Sequence, residues 1–222
     1  MNTRRVEHAP VRVKSRRYDA TRRRELAALS RERVLDAAEA AFLGRGYAAT
    51  TVAELAEAAG VSVELIYKSY GGKAGLVRAI YYRGLRGAGP VDARQRSDTL
   101  SASDIPADAL LREWATLSTE VSPRVTPIEL LVRTAAAHDP SLTELLAEMS
   151  QQRLERMERN AQRLRRHAGV RRDLTVAVTR DVLWTYSSPD LYALLVLDRG
   201  WPLPRFGDFL YRGMRAQLLE PR

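Results

Sequence analysis

Four side chains that follow Gly60 could contact the edges of DNA base pairs: Ser62, Val63, Glu64 and Lys68. A glutamate carboxylate accepts a hydrogen bond from cytosine N4, and a valine side chain can contact a thymine methyl group. Two alternatives stay open, since Glu64 could instead stabilise the first turn of its own helix and Lys68 could contact phosphate. These side chains can reach base pairs only if a helix holds them at the protein surface.

The surrounding segment TVAELAEAAGVSVELIY predicts a helix-turn-helix that would position them. Thr51 and Glu54 form a T-x-x-E capping box that opens a short helix, and Gly60 permits a sharp turn. Ser62 can cap the second helix, and Ile66 supplies an apolar anchor that seats it. Such a unit presents one helix to the DNA major groove, which is about as wide as a helix. An ordinary pair of packed helices is the alternative.

The composition is that of a helical protein without a membrane span or a metal site. The 222 residues are 45% hydrophobic and 28% charged, and charges interrupt every long apolar run. The absence of cysteine and of an apolar N-terminal segment suits the cytoplasm, and three scattered histidines argue against a metal. We expect no cofactor and no enzyme, because no nucleophile–base motif or Walker spacing appears.

Most of the positive charge lies in one N-terminal arm. The formal charge is +9, and residues 1–24 contain nine basic and two acidic side chains, a net +7. We predict that residues 1–28 are a disordered basic arm that contacts DNA, because arginine suits phosphates and narrow minor grooves. The alternative is a solvated tail that aids solubility. The candidate contacts in the arm are Arg16, Arg17, Arg22, Arg23 and Arg24.

Helical periodicity predicts an all-α fold of about nine helices in two blocks. We expect a three-helix DNA-binding domain over 29–86, a linker rich in glycine, proline, serine and aspartate over 87–106, and a helical bundle over 107–222. Pro123 and Pro127 predict a short connection between two helices of the second block.

Residues 30–86 resemble the DNA-binding domain of the TetR family of bacterial transcriptional regulators. The resemblance lies in VLDAAEAAFLGRGYAATTVAELAEAAGVS and IYKSYGGKAGLV, and it is weaker in the C-terminal block. It implies a homodimer that binds double-stranded palindromic operator DNA, most often as a repressor, and leaves it when a small-molecule effector binds. An architectural or orphan DNA-binding protein without an effector is the alternative.

The resemblance also implies phosphate contacts for Thr51, Tyr67 and Lys73, which stand at the family's phosphate-contacting positions. Helix N-termini, hydroxyl groups and ammonium groups all suit phosphate oxygens. The chain departs from the family pattern where bases would be read. Glu64-Leu65 replaces a small residue followed by threonine, and Ser69 replaces an aromatic residue or histidine. The operator of another member therefore cannot be transferred.

The second block predicts an effector pocket and a dimer surface. A pocket needs apolar walls and a few polar groups, and Arg133 would favour an anionic or carbonyl-bearing ligand if it points inward. The alternatives are that Arg133 faces water and that the aromatic residues form core. The pocket candidates are Trp114, Leu117, Leu130, Arg133, Thr134, Met149, Trp184 and Tyr186.

The last two helices carry more apolar surface than one thin helical layer needs. Pairing two copies as a four-helix bundle would bury it, and palindromic DNA requires two-fold symmetry. The alternative is that these side chains close the core of the monomer. The predicted dimer residues are Tyr192, Leu195, Trp201, Phe206, Phe209, Leu210 and Met214.

Overall fold

A computed structural model describes residues 14–221, with the backbone alone for 14–21 and 23. The predicted all-α class is confirmed. The helices are α1 (Lys14–Arg45), α2 (Val52–Ala59), α3 (Val63–Tyr70), α4 (Lys73–Arg86), α5 (Ala93–Ala102), α6 (Ala107–Ala135), α7 (Pro140–Leu164), α8 (Val176–Tyr186), α9 (Pro189–Tyr192), which continues as a π-helical segment (Ala193–Asp198), and α10 (Leu203–Leu218).

The first core joins the N-terminal helices to the C-terminal part of α6 and the N-terminal part of α7. Phe42 of α1, Leu55 of α2 and Ile66 of α3 are buried in it together with Ile128 of α6 and Leu145 of α7. Each buried side chain of this size contributes about 1.5–3 kcal/mol to stability. The helix-turn-helix is therefore packed against the second block and is not an independent module on a flexible tether.

The second core lies within the second block, between α6, α7, α8 and α10. Helix α6 runs without a break through Pro123 and Pro127, so the predicted connection there is wrong. Proline removes an intrahelical hydrogen bond, but Val125 and Ile128 are buried in the first core and hold the helix on both sides of Pro127. Packing therefore overrides the local preference for a break.

Two segments that the sequence predicted to be irregular contain helix. Helix α1 begins at Lys14, so the prediction of disorder is wrong for residues 14–28. Adding residues to an existing helix costs much less free energy than starting one, and no glycine or proline lies between Lys14 and Leu43 to interrupt it. The predicted linker contains α5, which Asp92 caps by accepting a hydrogen bond from the Arg94 N–H at 2.8 Å.

Burial corrects part of the predicted dimer surface. Four of its residues lie in the second core of the monomer, because α10 packs its apolar face against α6 and α8, and α9 packs against α6. These residues are Tyr192, Phe206, Leu210 and Met214. Leu195 packs at the edge of the same core, whereas Trp201 is half-buried and Phe209 is 37% exposed. No helix within residues 14–221 is long and apolar enough to cross a membrane.

A close approach of α3 to α4 requires glycine at position 75. A Cβ atom there would overlap the backbone carbonyl oxygen of Tyr70, which cannot move without displacing the end of α3. We predict that Gly75→Ala lowers the free energy of unfolding in urea by more than about 3 kcal/mol. Gly44→Ala is the matched control, because nothing lies within 4 Å of its added carbon. Equal stability of the two variants would contradict this packing.

Candidate functional site

The capping box predicted at the start of α2 is present. The Thr51 hydroxyl accepts a hydrogen bond from the Glu54 N–H at 3.3 Å, and Glu54 Oε2 accepts one from the Thr51 N–H at 2.9 Å. The Thr51 N–H holds the pKa of the Glu54 carboxyl below its usual value. Gly60 ends α2 in the left-handed region at φ 65°, which sets the turn into α3.

Helix α3 is capped at one end and anchored on one side. Ser62 Oγ accepts a hydrogen bond from the Leu65 N–H at 3.2 Å, and Ile66 is fully buried beneath the helix. The N–H of Glu64 itself and the Ser62 hydroxyl lower the pKa of the Glu64 carboxyl. This direction agrees with a role of Glu64 in its own first turn, and contact of Glu64 with a base stays a prediction.

The outer face of α3 carries the predicted DNA contacts. Tyr67 is 54% exposed, and Val63 is half-buried against the first core. Leu65 is not among the predicted base contacts, although it is exposed on the same helix. The other exposed residues of this face are Ser62, Glu64, Lys68 and Ser69. The helix is thus open to a duplex along its length.

Lys73 fixes the loop between α1 and α2. Its ammonium group donates to the backbone carbonyls of Tyr47 at 2.7 Å and Thr50 at 2.9 Å, and it lies 4.3 Å from the centre of the Tyr47 ring. An ammonium group has three donors, so one remains for a phosphate. Gly72 gives α4 no side-chain cap, which leaves the N–H groups of its first turn available.

Tyr47 connects this loop to the second block. Its hydroxyl donates to Asp139 Oδ2 at 2.7 Å, and Asp139 is the N-cap of α7. The Ser141 hydroxyl and the Tyr47 hydroxyl lower the pKa of Asp139, while burial raises the pKa of Tyr47. A second hydrogen bond connects α4 to α7, because the Tyr82 hydroxyl donates to Glu148 Oε1 at 2.6 Å. Movement of α7 would therefore act on both the loop and α4.

The second block contains a cavity of about 480 Å³ between α4, α5, α6, α7 and α8. Its face on α6 follows helical spacing through Trp114, Leu117, Val121, Val125 and Glu129. Four buried side-chain atoms on its wall have no hydrogen-bond partner within the described part of the chain: Trp114 Nε1, Thr126 Oγ1, Arg153 Nε and Asn160 Oδ1. Partnerless buried polar atoms are costly, and their concentration here points to a bound molecule or water.

Three of the predicted pocket residues line this cavity, and five do not. Trp114, Leu117 and Tyr186 line it. Arg133 does not line the cavity; it is exposed and donates to Asp190 Oδ1 at 2.6 Å, so the structure supports the alternative in which Arg133 faces water.

The other four predicted pocket residues also lie elsewhere. Thr134 is exposed next to Arg133, and Leu130 is half-buried outside the wall. Met149 is buried in the first core and does not line the cavity. Trp184 stacks on Arg153, with the guanidinium carbon 3.4 Å from the centre of the nearer ring. The predicted pocket residues did not include Glu129, Arg153 and Asn160, because helical spacing does not show which neighbouring helices enclose a space.

Part of the predicted arm lies outside the described residues. The side chains of Arg16, Arg17 and Arg23 are not described, whereas Arg22 and Arg24 are exposed on α1. Within residues 14–221, no group of three or more histidine and acidic side chains is placed to hold a metal ion.

Residues 34–80, which include α2, α3 and the start of α4, match the sequence model of the bacterial regulatory proteins of the TetR family. This part of the chain is therefore similar to the DNA-binding domains of the TetR family. Over 59 residues it is 46% identical to the HTH-type transcriptional regulator TtgR of Pseudomonas putida. That match covers 27% of this chain and 28% of TtgR.

Solved structures share the fold over most of the chain. The SmeT–triclosan complex has a TM-score of 0.67 at 22% identity, covering 86% of this chain and 92% of SmeT. SmeT is described as the repressor of the Stenotrophomonas maltophilia multidrug efflux pump SmeDEF. A transcriptional regulator from Saccharomonospora viridis, solved with choline, has a TM-score of 0.64 at 16% identity, with 86% and 98% covered.

The structure gives the three TetR-family phosphate positions different surroundings. Thr51 and Tyr67 are exposed, whereas Lys73 is half-buried and held by two carbonyl groups. Phosphate contacts by these residues stay a prediction. For Lys73 the described contacts add a structural role, since it ties α4 to the loop before α2.

We predict that Lys73→Ala lowers the free energy of unfolding by about 1–3 kcal/mol, because it leaves two carbonyl groups without their donor. Lys68→Ala is the control, since Lys68 is exposed and should change stability by less than about 0.5 kcal/mol. Urea titrations of both variants measure the difference. Equal values would show that Lys73 does not stabilise the loop.

Proposed function

We propose that the chain is a transcriptional regulator that binds duplex DNA through α3 and is released by a small molecule. The observation that carries the first part is the exposed face of α3 above a fully buried Ile66. A helix held in this way can enter the major groove without rearrangement. In this proposal Ser62, Val63, Leu65 and Lys68 approach the bases, and Thr51, Tyr67 and the first turn of α4 contact phosphates.

We also propose that the protein acts as a homodimer, so that two copies of α3 read the halves of a palindrome. Exposed or half-buried apolar side chains remain along α8, the π-helical segment and α10 after the monomer has folded: Val178, Leu194, Leu197, Trp201 and Phe209. Trp201 and Phe209 pack edge to face, with ring centres 5.8 Å apart. Pairing of this surface with a second copy would remove it from water.

The cavity supports the proposed response to a small molecule. Its volume falls within the range of ligand pockets, and its wall combines aromatic and aliphatic groups with polar atoms that lack partners. Two structural neighbours were solved with small molecules, triclosan and choline. A ligand that separates α6 from α7 would act on the DNA-binding helices through Asp139–Tyr47 and through Glu148–Tyr82.

Selection from random duplexes with the full chain tests the DNA-binding part. We predict a palindromic winner with half-site centres about 34 Å apart. Tyr67→Phe should select the same sequence and bind it more weakly by about 1–2 kcal/mol, because a phosphate contact fixes register but reads no base. Tyr70→Phe is the control, since Tyr70 is half-buried at the end of the same helix.

A selected sequence without two-fold symmetry would contradict the dimer proposal. A changed base preference in Tyr67→Phe would contradict the phosphate role. If duplexes are retained but no sequence is enriched, the protein binds DNA architecturally, and the proposal of a sequence-specific regulator fails.

A further inference from the structure

Glu129 is a buried acid on the wall of the cavity. It is 4% exposed and lies on α6 one turn after Val125. Within residues 14–221 its carboxyl group has no hydrogen bond or ion pair, and burial raises its pKa. Burial of a carboxyl group without a hydrogen-bond or ion-pair partner destabilises the folded protein, so a ligand that pairs with Glu129 would remove this cost.

The cations nearest to Glu129 are held by other groups. Arg133 donates to Asp190. Arg153 stacks on the Trp184 ring and donates from Nη1 to the Trp184 carbonyl at 3.0 Å and to Ser187 Oγ at 3.4 Å. Both arginines act on Glu129 from a distance, but neither forms an ion pair with it. A cation that enters the cavity would thus meet a carboxylate that no side chain has already neutralised by contact.

The walls around Glu129 suit the body of an organic cation. Tyr81, Trp114 and Tyr186 contribute aromatic rings, whose faces attract cations, and the aliphatic wall includes Leu117 and Val121. Thr126, which is 1% exposed and lies one turn before Glu129 on α6, contributes a hydroxyl without a partner in the described chain. Charge, shape and apolar contact all favour the same type of ligand.

We propose that the cavity binds an organic cation, an ammonium group on an elongated apolar body, with its charged end against Glu129. This inference rests on the proposed function only in assigning the cation the role of effector; binding itself does not depend on DNA. An organic anion is the main competitor because arginines also line the cavity.

Two of the four arginines that line the cavity already have acidic partners. Arg156 donates to the Arg94 carbonyl at 2.6 Å and lies 3.6 Å from Asp98, and Arg94 pairs with Asp92 at 3.3 Å. An anion would compete with these partners or bind at Arg159, which is exposed to solvent, and in either case it would share the cavity with Glu129. A cation instead gains a partner that the protein does not provide.

The test uses three probes with one 4-phenylbutyl body and different heads: trimethylammonium, the neutral tert-butyl group of the same shape, and carboxylate. Binding to the full chain is measured by equilibrium dialysis without DNA. We expect the ammonium probe to bind at least about tenfold more tightly than the neutral probe, and the carboxylate probe to bind most weakly. Neutral or carboxylate probes that bind as tightly as the ammonium probe would overturn the proposal.

Variants locate the charge that selects the cation. Glu129→Gln should bind the ammonium and neutral probes about equally and should keep its affinity for the neutral probe, which also shows that the cavity is intact. Glu155→Gln is the matched control, because Glu155 is an exposed carboxylate at the same cavity and should leave the preference unchanged. If Glu129→Gln does not fold, Glu129→Asp should keep a reduced preference. A full preference in the position-129 variant that folds would overturn the assignment.

A separate measurement distinguishes failure of this inference from failure of the proposed function. The ammonium probe is added to the complex of the protein with its selected duplex. If the probe binds through Glu129 but the duplex stays bound, the ligand class stands and the release proposal fails. If the head-group series shows no preference for the cation while other compounds release the duplex, the ligand class fails and the regulator proposal stands.

Discussion

The contact on which the arrangement depends is that of Lys73 and Tyr47. The Lys73 ammonium group binds two carbonyl oxygens of the α1–α2 loop and lies against the Tyr47 ring, and the Tyr47 hydroxyl binds the N-cap of α7. One short chain of contacts therefore fixes the start of α2, the start of α4 and the start of α7. Because α2 and α4 both pack on α3, these contacts also set the position of the face of α3 that is proposed to bind DNA.

The first core contains side chains of both blocks, so movement of one block would act on the other. Side chains of α1, α2 and α3 are buried with side chains of α6 and α7, so the two blocks cannot separate without exposing apolar surface. Side chains of the same two helices, α6 and α7, also line the cavity. A molecule bound in the cavity would act on helices that are connected to α3, so a small shift of α6 or α7 would also move the face of α3 that is proposed to bind DNA.

Local spacing predicted the helix-turn-helix well, because capping and turn formation depend on residues three or four apart, as in Thr51–Glu54 and Gly60. Contacts between distant residues could not be predicted in this way. The Tyr47–Asp139 hydrogen bond spans 92 positions, and Arg133 could be assigned to water only once Asp190 was placed beside it. Four residues of the predicted dimer surface lie instead in the core of the monomer, because amphipathic periodicity identifies an apolar face but does not show whether the monomer itself covers that face.

The most direct test of this account is a double-mutant cycle between Tyr47→Phe and Asp139→Asn, measured as the free energy of unfolding in urea. Asparagine keeps an N-cap acceptor, so the cycle isolates the hydroxyl–carboxylate contact. We expect the double variant to lose less stability than the sum of the losses of the two single variants, with a coupling of about 1 kcal/mol or more. Additive losses would show that the contact does not connect the DNA-binding helices to the cavity helices.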